Sequence, residues 1–213
     1  MERTRRGYQA DVQRLPESGE IPVSHVTEAL KKASELPEGD VVRILLQQHA
    51  GIRQLCATVG NSTGPAKRQA FDDLRVLLAV HETAEELVVH PVASVHGGET
   101  LTKALVADEK EATQMLAQLE EVGVDSPEFD ATFPIFQLAV EQHAEEEERV
   151  EFPLLLAELD ETARQAMGKR LSAAERVAPT RPHPGSAGSV PKQLATMPFH
   201  SVVDRVRDAL SRS

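Results

Sequence analysis

The sequence predicts an all-α protein, an antiparallel up-down four-helix bundle with an N-terminal extension and a C-terminal linker that ends in a short helix. Four stretches between residues 41 and 159 carry apolar residues at helical spacing, and short breaks rich in Gly, Ser or Pro separate them. The apolar residues are mostly Leu, Val and Ala, with six Phe, one Tyr and no Trp in 213 residues. A core of this kind fits helices better than packed sheets, and four such helices with short loops favour a bundle.

The length of 213 residues predicts one domain with tails. The bundle is expected over 40–160, with an extension at 1–39 and a C-terminal region at 161–213. The extension carries a short helical pattern at 26–36, which a Pro-Glu-Gly sequence ends. The C-terminal region divides into a helix at 161–176, a Pro-, Gly- and Ser-rich linker at 178–191 and an amphipathic tail helix at 199–210.

The four bundle helices have recognisable ends. Asp40 is a suitable N-cap for the first helix, at 41–59, and the loop 60–65 closes it. The second helix is expected at 66–90, before the loop His96-Gly97-Gly98. The third, at 100–122, ends at Gly123. The fourth, at 128–159, begins after Ser126-Pro127 and is expected to kink at Pro153.

Charge and composition exclude several functions. The net charge of −11 argues against nucleic acid and against an anionic membrane surface as partners. The single cysteine permits no intrachain disulfide. The polar N-terminus has no apolar leader, and the chain has no run of about 18 apolar residues. A cytoplasmic protein is therefore expected.

An internal repeat lies in the second and fourth helices. The segment that starts at His81 and the segment that starts at His143 share His, a Glu-Glu pair, Val and Pro at the same offsets. Each contains His-x-x-x-Glu, which places an imidazole and a carboxylate one helical turn apart on one face.

Polar residues also occupy the centre of each predicted apolar stripe. They are three imidazoles and three carboxylates: His49, His81, Glu85, Glu109, His143 and Glu147. Burying isolated carboxylates costs several kcal/mol, and carboxylates gathered in one core repel one another. Bound cations would offset both effects. Mixed nitrogen and oxygen ligands suit iron or manganese, and carboxylates can bridge two ions.

The remaining candidates are weaker. Glu82 could supply a further oxygen, whereas Glu86, Glu146 and Glu148 are expected to support the site from outside or to face water. On an ideal helix His90 lies opposite His81, so it is interpreted as a packing or helix-end residue. His96 and His183 are expected in solvated loops.

These motifs resemble the hemerythrin-like, HHE cation-binding family over about residues 40–160. The resemblance rests on His49, on His81-x-x-x-Glu85 followed by Pro91, and on His143-x-x-x-Glu147 followed by Phe152-Pro153. The longer layout, with 108–112 and 181–185, is similar to an actinobacterial branch. The resemblance implies two iron ions, oxo- or hydroxo-bridged, with the three histidines as terminal ligands and Glu85 and Glu147 as bridges.

The third helix departs from the family pattern, because Glu109 stands where relatives commonly have histidine. A carboxylate there makes the centre more electron-rich and disfavours reversible oxygen carriage. The leading hypothesis is thus a di-iron protein that meets dioxygen, peroxide or nitric oxide in redox response or sensing. Enzymatic turnover, such as peroxide or nitric oxide decomposition, stays open.

Two alternatives remain. In the first, metal occupancy exposes or hides the tail helix at 199–210 for a protein partner whose identity is unknown. In the second, the bundle is a metal-free structural module, which leaves three buried carboxylates unexplained.

Overall fold

A computed structural model describes residues 23–181, and all regular structure in this range is helical. The predicted linker beyond residue 181 and the predicted tail helix lie outside the described residues. We number the helices in chain order: α1 Val23–Ser34, α2 Val41–Asn61, α3 Gly64–Val88, α4 His90–Ala93, α5 Glu99–Val122, α6 Pro127–Glu146, α7 Phe152–Glu158 and α8 Glu161–Glu175. Two π-helical turns, Ser94–Gly98 and Glu147–Glu151, complete the described elements.

The bundle consists of α2, α3, α5 and the continuous path from α6 to α7, and short connections make neighbouring helices antiparallel. Polar N-caps begin three of the helices. Asp40 Oδ1 accepts a hydrogen bond from Val42 N at 3.0 Å, and Ser126 Oγ accepts one from Phe129 N at 3.0 Å. Helix α1 packs on α2, and α8 packs on α3 and α2. The predicted all-α bundle is confirmed.

The apolar core is divided into two clusters with a polar layer between them. The first apolar cluster includes Leu45, Leu46, Phe152 and Leu155, together with residues of α1 and α8. The second apolar cluster consists mainly of residues from the other ends of the helices, and it contains Phe71, Leu116, Phe129, Phe133 and Phe136. His81 falls between Leu78 of the second cluster and Ala84 of the first, and the α6–α7 ligands fall between Val140 of the second and Phe152 of the first. On α2 and α3, His49 and Glu85 lie among first-cluster residues, close to where that cluster ends.

Both repeats contain a helix break just before the shared proline. The predicted second helix ends at Val88 rather than at His90, and α4 begins immediately before Pro91. At the predicted kink there is a π-helical turn that ends two residues before Pro153, and Phe152 N donates a hydrogen bond to Glu147 O. Proline has no N–H and crowds the preceding turn, so each break follows from the sequence.

The start of the predicted linker differs from expectation. Ala178 and Thr180 are buried, and Arg75 Nη1 donates a hydrogen bond to Thr180 O at 2.5 Å. Arg181 is also buried and pairs with Glu120. Residues 178–181 therefore pack against the bundle, because a buried arginine of α3 has its acceptor there. Within residues 23–181, no helix has the length and apolar character needed to cross a bilayer.

Candidate metal centre

The first half of the centre joins α2, α3 and the π turn after α6. His49 Nε2 lies 3.2 Å from Glu147 Oε2, and His81 Nε2 lies 3.1 Å from Glu85 Oε2. These four side chains are buried, and each offers a nitrogen or oxygen within 4.8 Å of the others. Ligand atoms held at right angles about 2.1 Å from one ion lie about 3 Å apart, so this spacing fits one cation.

The second half adds α5 and α6. His143 Nε2 lies 3.3 Å from Glu147 Oε1 and 3.8 Å from Glu109 Oε1. Glu85, Glu109, His143 and Glu147 again offer atoms within 4.8 Å of one another. Glu85 and Glu147 belong to both groups of four. All six residues predicted from the sequence thus converge, in two groups that share two carboxylates.

Several inward-facing atoms of this centre lie within 3.8 Å of an oppositely charged atom but form no hydrogen bond of acceptable geometry. Both carboxylate oxygens of Glu85 and of Glu147 are buried and have no hydrogen-bond partner among the described residues. The same is true of His49 Nε2, His143 Nε2 and Glu109 Oε2. Buried polar groups are normally satisfied, and a cluster of unsatisfied atoms calls for an explanation such as an ion. The donor set therefore fits bound cations.

His90 is a helix-end residue, as one of its two predicted roles states, but it also contacts carboxylates of the centre. Its ring is buried, with Nε2 2.6 Å from Glu109 Oε1 and Nδ1 2.9 Å from Glu151 Oε1. A continuous ideal helix would place His90 opposite His81, but α3 ends at Val88 and a new helix begins at His90. His90, Glu147 and Glu151 form a further group that could hold an ion.

Glu151 is the buried carboxylate that the sequence analysis missed. It is fully buried and follows His143 and Glu147 at the same four-residue interval. Continuing the His-x-x-x-Glu pattern by one step would have found it. The internal repeat does not indicate Glu151, since the residue at the same offset in the first segment is the apolar Val89.

The outer ring nitrogens of two histidines are also held. His49 Nδ1 lies 3.1 Å from Glu148 Oε1, and His81 Nδ1 lies 2.8 Å from Gln48 Oε1. Metal-binding histidines usually donate their second N–H to such an acceptor, which fixes the ring. Glu148 thus supports the site from outside, as one of the two predicted alternatives states.

The buried Arg53 links this outer layer to the surface. Its Nη1 donates to Glu148 Oε1 at 2.7 Å, and its Nε donates to Glu141 Oε2 at 2.9 Å. Glu141 Oε1 in turn lies 2.9 Å from His25 Nδ1 on α1. Neither Arg53 nor Glu141 was singled out from the sequence, because the contacts join residues about 90 positions apart.

The other candidates lie farther out. Glu82 Oε2 accepts a hydrogen bond from Thr113 Oγ1 at 2.8 Å, and Glu146 pairs with Arg149 at the surface. His96 is exposed in its turn. Glu86 is buried rather than solvated. His183 lies outside the described residues.

The buried histidines differ in the direction in which their surroundings shift the pKa. Burial lowers the pKa of His143, but the charges of Glu147 and Glu109 outweigh it and raise the value to about 9. Burial also opposes protonation of His90 and His49, whose neighbouring carboxylates nevertheless raise both pKa values. Burial and the charge of His49 together lower the pKa of His81 to about 3. Without cations, the protonated histidines balance part of the carboxylate charge.

The pKa values of the two shared carboxylates are also shifted in opposite directions. Burial and the charge of Glu147 raise the pKa of Glu85 well above its ordinary value. Burial has the same tendency at Glu147, but His143 and His49 outweigh it and hold its pKa well below the ordinary value. In the absence of metal, Glu147 thus ionises more readily than Glu85.

Together these features define a helical-bundle protein with a buried His/Glu centre suited to cations. A family model, the hemerythrin HHE cation binding domain, matches residues 40–155. The match covers more than half of the chain, which therefore belongs to the hemerythrin HHE cation-binding family. An uncharacterized hemerythrin-like protein of Schizosaccharomyces pombe is 24% identical over 138 residues, which cover 63% of this chain and 68% of the relative. No solved structure was found to match the chain.

Proposed function

We propose that this chain is a non-haem di-iron protein that meets a small oxidant, namely dioxygen, peroxide or nitric oxide. His49 and His81 would hold one iron, and Glu109 and His143 the other, with His90 within reach of Glu109. Glu85 and Glu147 would bridge them, and an oxo or hydroxo group would complete the bridge. The observation that carries the proposal is the pair of buried glutamates that belong to both groups and have no hydrogen-bond partner among residues 23–181.

Charge balance supports two ions rather than one. Four buried carboxylates surround the centre: Glu85, Glu109, Glu147 and Glu151. Two divalent cations, or two ferric ions with one oxo group, would carry a net four positive charges, equal to the negative charge of these groups when ionised. One divalent cation would leave two buried negative charges to be neutralised by protons. Manganese in place of one iron would satisfy the same balance.

The side chains of the centre would bind the iron ions, and the surrounding residues orient those side chains and shield them from water. Iron, when bound, supplies one-electron redox chemistry towards a small ligand. Phe152 stacks on the His49 ring with centroids 5.4 Å apart, and the two apolar clusters cover the centre from both ends of the bundle. Burial of the ligands limits access to molecules of a few atoms. Glu109, in place of an imidazole, favours the oxidised state and hence redox response or sensing over reversible carriage.

Metal analysis with optical spectroscopy tests the proposal. The chain is purified after expression with iron, and the metal content and near-ultraviolet spectrum are recorded before and after peroxide. We expect about two irons per chain, an oxo-to-iron absorption band and a peroxide-dependent change. Variant His96→Ala, at an exposed histidine outside the centre, is the control and should behave as the wild type. A chain that purifies free of iron and cannot be loaded contradicts the proposal.

The alternative, a metal-occupancy sensor that acts through its tail helix, depends on residues 199–210. These residues lie outside the described part of the chain, so the alternative stays a prediction. Proteolysis of the metal-free and metal-loaded forms tests it, because a sensor of this kind should change the protection of the tail.

A further inference from the structure

A chain of two hydrogen bonds connects His81 to the last helix. Gln48 Oε1 lies 2.8 Å from His81 Nδ1, and Gln48 Nε2 lies 2.5 Å from Glu175 Oε1. Glu175 is the last residue of α8, which follows the family-matched range 40–155. A residue from an additional helix therefore reaches, through one amide, a histidine of the centre.

The chemistry of the three groups fixes the direction of both hydrogen bonds. An ionised carboxylate only accepts, so the Gln48 amide nitrogen must face Glu175. The amide oxygen is then the atom that remains for His81, and it also only accepts. His81 Nδ1 must carry the ring hydrogen, and in a neutral imidazole Nε2 then presents its lone pair. That nitrogen is the one 3.1 Å from Glu85 Oε2, on the inner side of the centre.

We propose that Gln48 and Glu175 are positioning residues that fix the tautomer and ring orientation of His81 for metal binding. Helix α8 therefore contributes, through Glu175, to metal binding at the centre. The inference rests on the proposed function, since it assumes an ion at the His49/His81 half. The inference also predicts that a Gln48 variant affects metal binding at one half of the centre and not at the other. His143 Nδ1, on the other half, has no hydrogen-bond partner among the described residues, whereas His81 Nδ1 on the first half is paired with Gln48.

Metal titration with a matched pair of variants tests the inference. Gln48→Leu removes the amide, whereas Gln47→Leu makes the same change at the exposed neighbouring position. The metal-free proteins are titrated anaerobically with Fe²⁺, and with Co²⁺ for its ligand-field spectrum. We expect Gln48→Leu to weaken one of the two binding steps about 10–100-fold, as loss of a histidine's outer partner typically does. Gln47→Leu should match the wild type.

Variants at Glu175 separate positioning from general packing. Glu175→Gln keeps an oxygen that can accept from Gln48, so its two binding steps should lie close to those of the wild type. Glu175→Leu removes the acceptor and should weaken the same step as Gln48→Leu. Equal behaviour of the two Glu175 variants contradicts the inference. Circular dichroism identifies any variant that fails to fold.

Nitrogen NMR of the wild-type chain gives a readout that needs neither a variant nor metal. We expect the His81 ring to carry its hydrogen on Nδ1, and a hydrogen on Nε2 overturns the inference. Failure of the proposed function looks different, because the wild type would then take up no metal while the His81 tautomer could still be measured. If the wild type binds two ions and Gln48→Leu binds them equally well, the positioning role alone is wrong.

Discussion

At the scale of single residues, position relative to charged neighbours decides what each group of the centre does. Glu85 and Glu147 are the same residue type, both fully buried and both shared by the two halves. His143 and His49 lower the pKa of Glu147 against the effect of burial, whereas burial and the charge of Glu147 raise the pKa of Glu85. Cations must therefore displace protons when they bind, which makes loading dependent on pH.

Removing a shared carboxylate should affect both ions, whereas removing a histidine of one half should affect one. We expect Glu147→Ala to lose nearly all metal, because Glu147 belongs to both groups of four. His143→Ala should keep about one ion per chain, since His49 and His81 remain. Elemental analysis of the purified variants measures this.

The control for this comparison is Glu111→Ala. The Glu111 side chain is exposed two positions after Glu109 and is in none of the groups of described residues that could hold an ion, so the metal content of this variant should not change. Equal losses in Glu147→Ala and His143→Ala would contradict the division into two halves with shared carboxylates.

At the scale of helices, the prolines of the internal repeat shape the centre. Pro91 and Pro153 lie at the same offset from His81 and His143, and each follows a break in its helix. The break in one repeat brings His90 inward, and the π turn in the other holds Glu147 and Glu151 in the interior. Similar sequences thus contribute different ligands: an imidazole from one repeat and a carboxylate from the other.

The close approach of α8 to the turn before α2 gives a prediction at this scale. A Cβ at Gly168 would lie 2.1 Å from Gly39 O, so Gly168→Ala must push α8 away. We expect a loss of about 1–3 kcal/mol in unfolding free energy, as overpacking typically causes. Urea denaturation measures the change.

The control is Gly60→Ala, in the last turn of α2. A Cβ there meets nothing within 4 Å among the described residues, and the glycine has a helical conformation. This variant should be neutral or gain up to about 1 kcal/mol, since alanine is the better helix former. A Gly168→Ala protein as stable as the wild type would mean that α8 is not held at this contact.

The sequence predicted much of the helical architecture, because apolar spacing and caps are local properties. The six residues named as ligands do converge, since an ideal rotation of 100° per residue holds within one regular helix. The same rule misplaced His90, which lies beyond a helix break, and Glu151, four residues after Glu147, was not predicted as a member of the centre. Contacts such as His81 with Gln48 and Gln48 with Glu175 depend on how helices pack, which no local pattern contains.

At the scale of the whole molecule, the polar layer separates two apolar clusters. Without metal, this layer contains buried groups whose protonation states differ from those in an unfolded chain. Stability of the metal-free protein is therefore linked to pH, and stability of the loaded protein to the supply of ions.

Metal-free protein should lose stability as the pH rises from about 6.5 to about 9. The folded chain holds a proton on His143 up to a pKa of about 9, against an ordinary value of 6.5. Burial and the charge of Glu109 likewise raise the pKa of Glu82 from 4.5 to about 8. In the folded chain Glu82 keeps its proton up to about pH 8 and His143 up to about pH 9, whereas in the unfolded chain both are deprotonated above pH 6.5. Within these limits a higher pH favours unfolding by about 1.4 kcal/mol per pH unit for each group.

Urea denaturation of the metal-free protein at pH 6.5 and at pH 9 measures this loss. Variant Glu82→Gln cannot ionise at this position, so its stability should fall less steeply between pH 6.5 and 8. The metal-loaded protein should show a smaller pH dependence over the same range. An increase in stability with pH in the metal-free form would contradict the assigned protonation states.

Removing metal should lower the melting temperature. An ion present at 100 times its Kd stabilises the folded state by about 2.7 kcal/mol, which corresponds to about 5–10 °C for a chain of this size. Calorimetry before and after treatment with EDTA measures the shift, and added Fe²⁺ should reverse it. The double variant His81→Ala/His143→Ala serves as the control and should not respond to EDTA. An unchanged melting temperature in the wild type would mean that bound ions do not stabilise the polar layer.

The divided core has a consequence for cooperativity. Each apolar cluster can unfold on its own when the polar layer between them contributes little stability. Loss of ions should therefore turn one all-or-none unfolding transition into two. Backbone amide exchange would show this as different opening free energies for the half of the bundle beside α8 and for the half rich in phenylalanine. Bound cations would then set whether the molecule behaves as one folding unit.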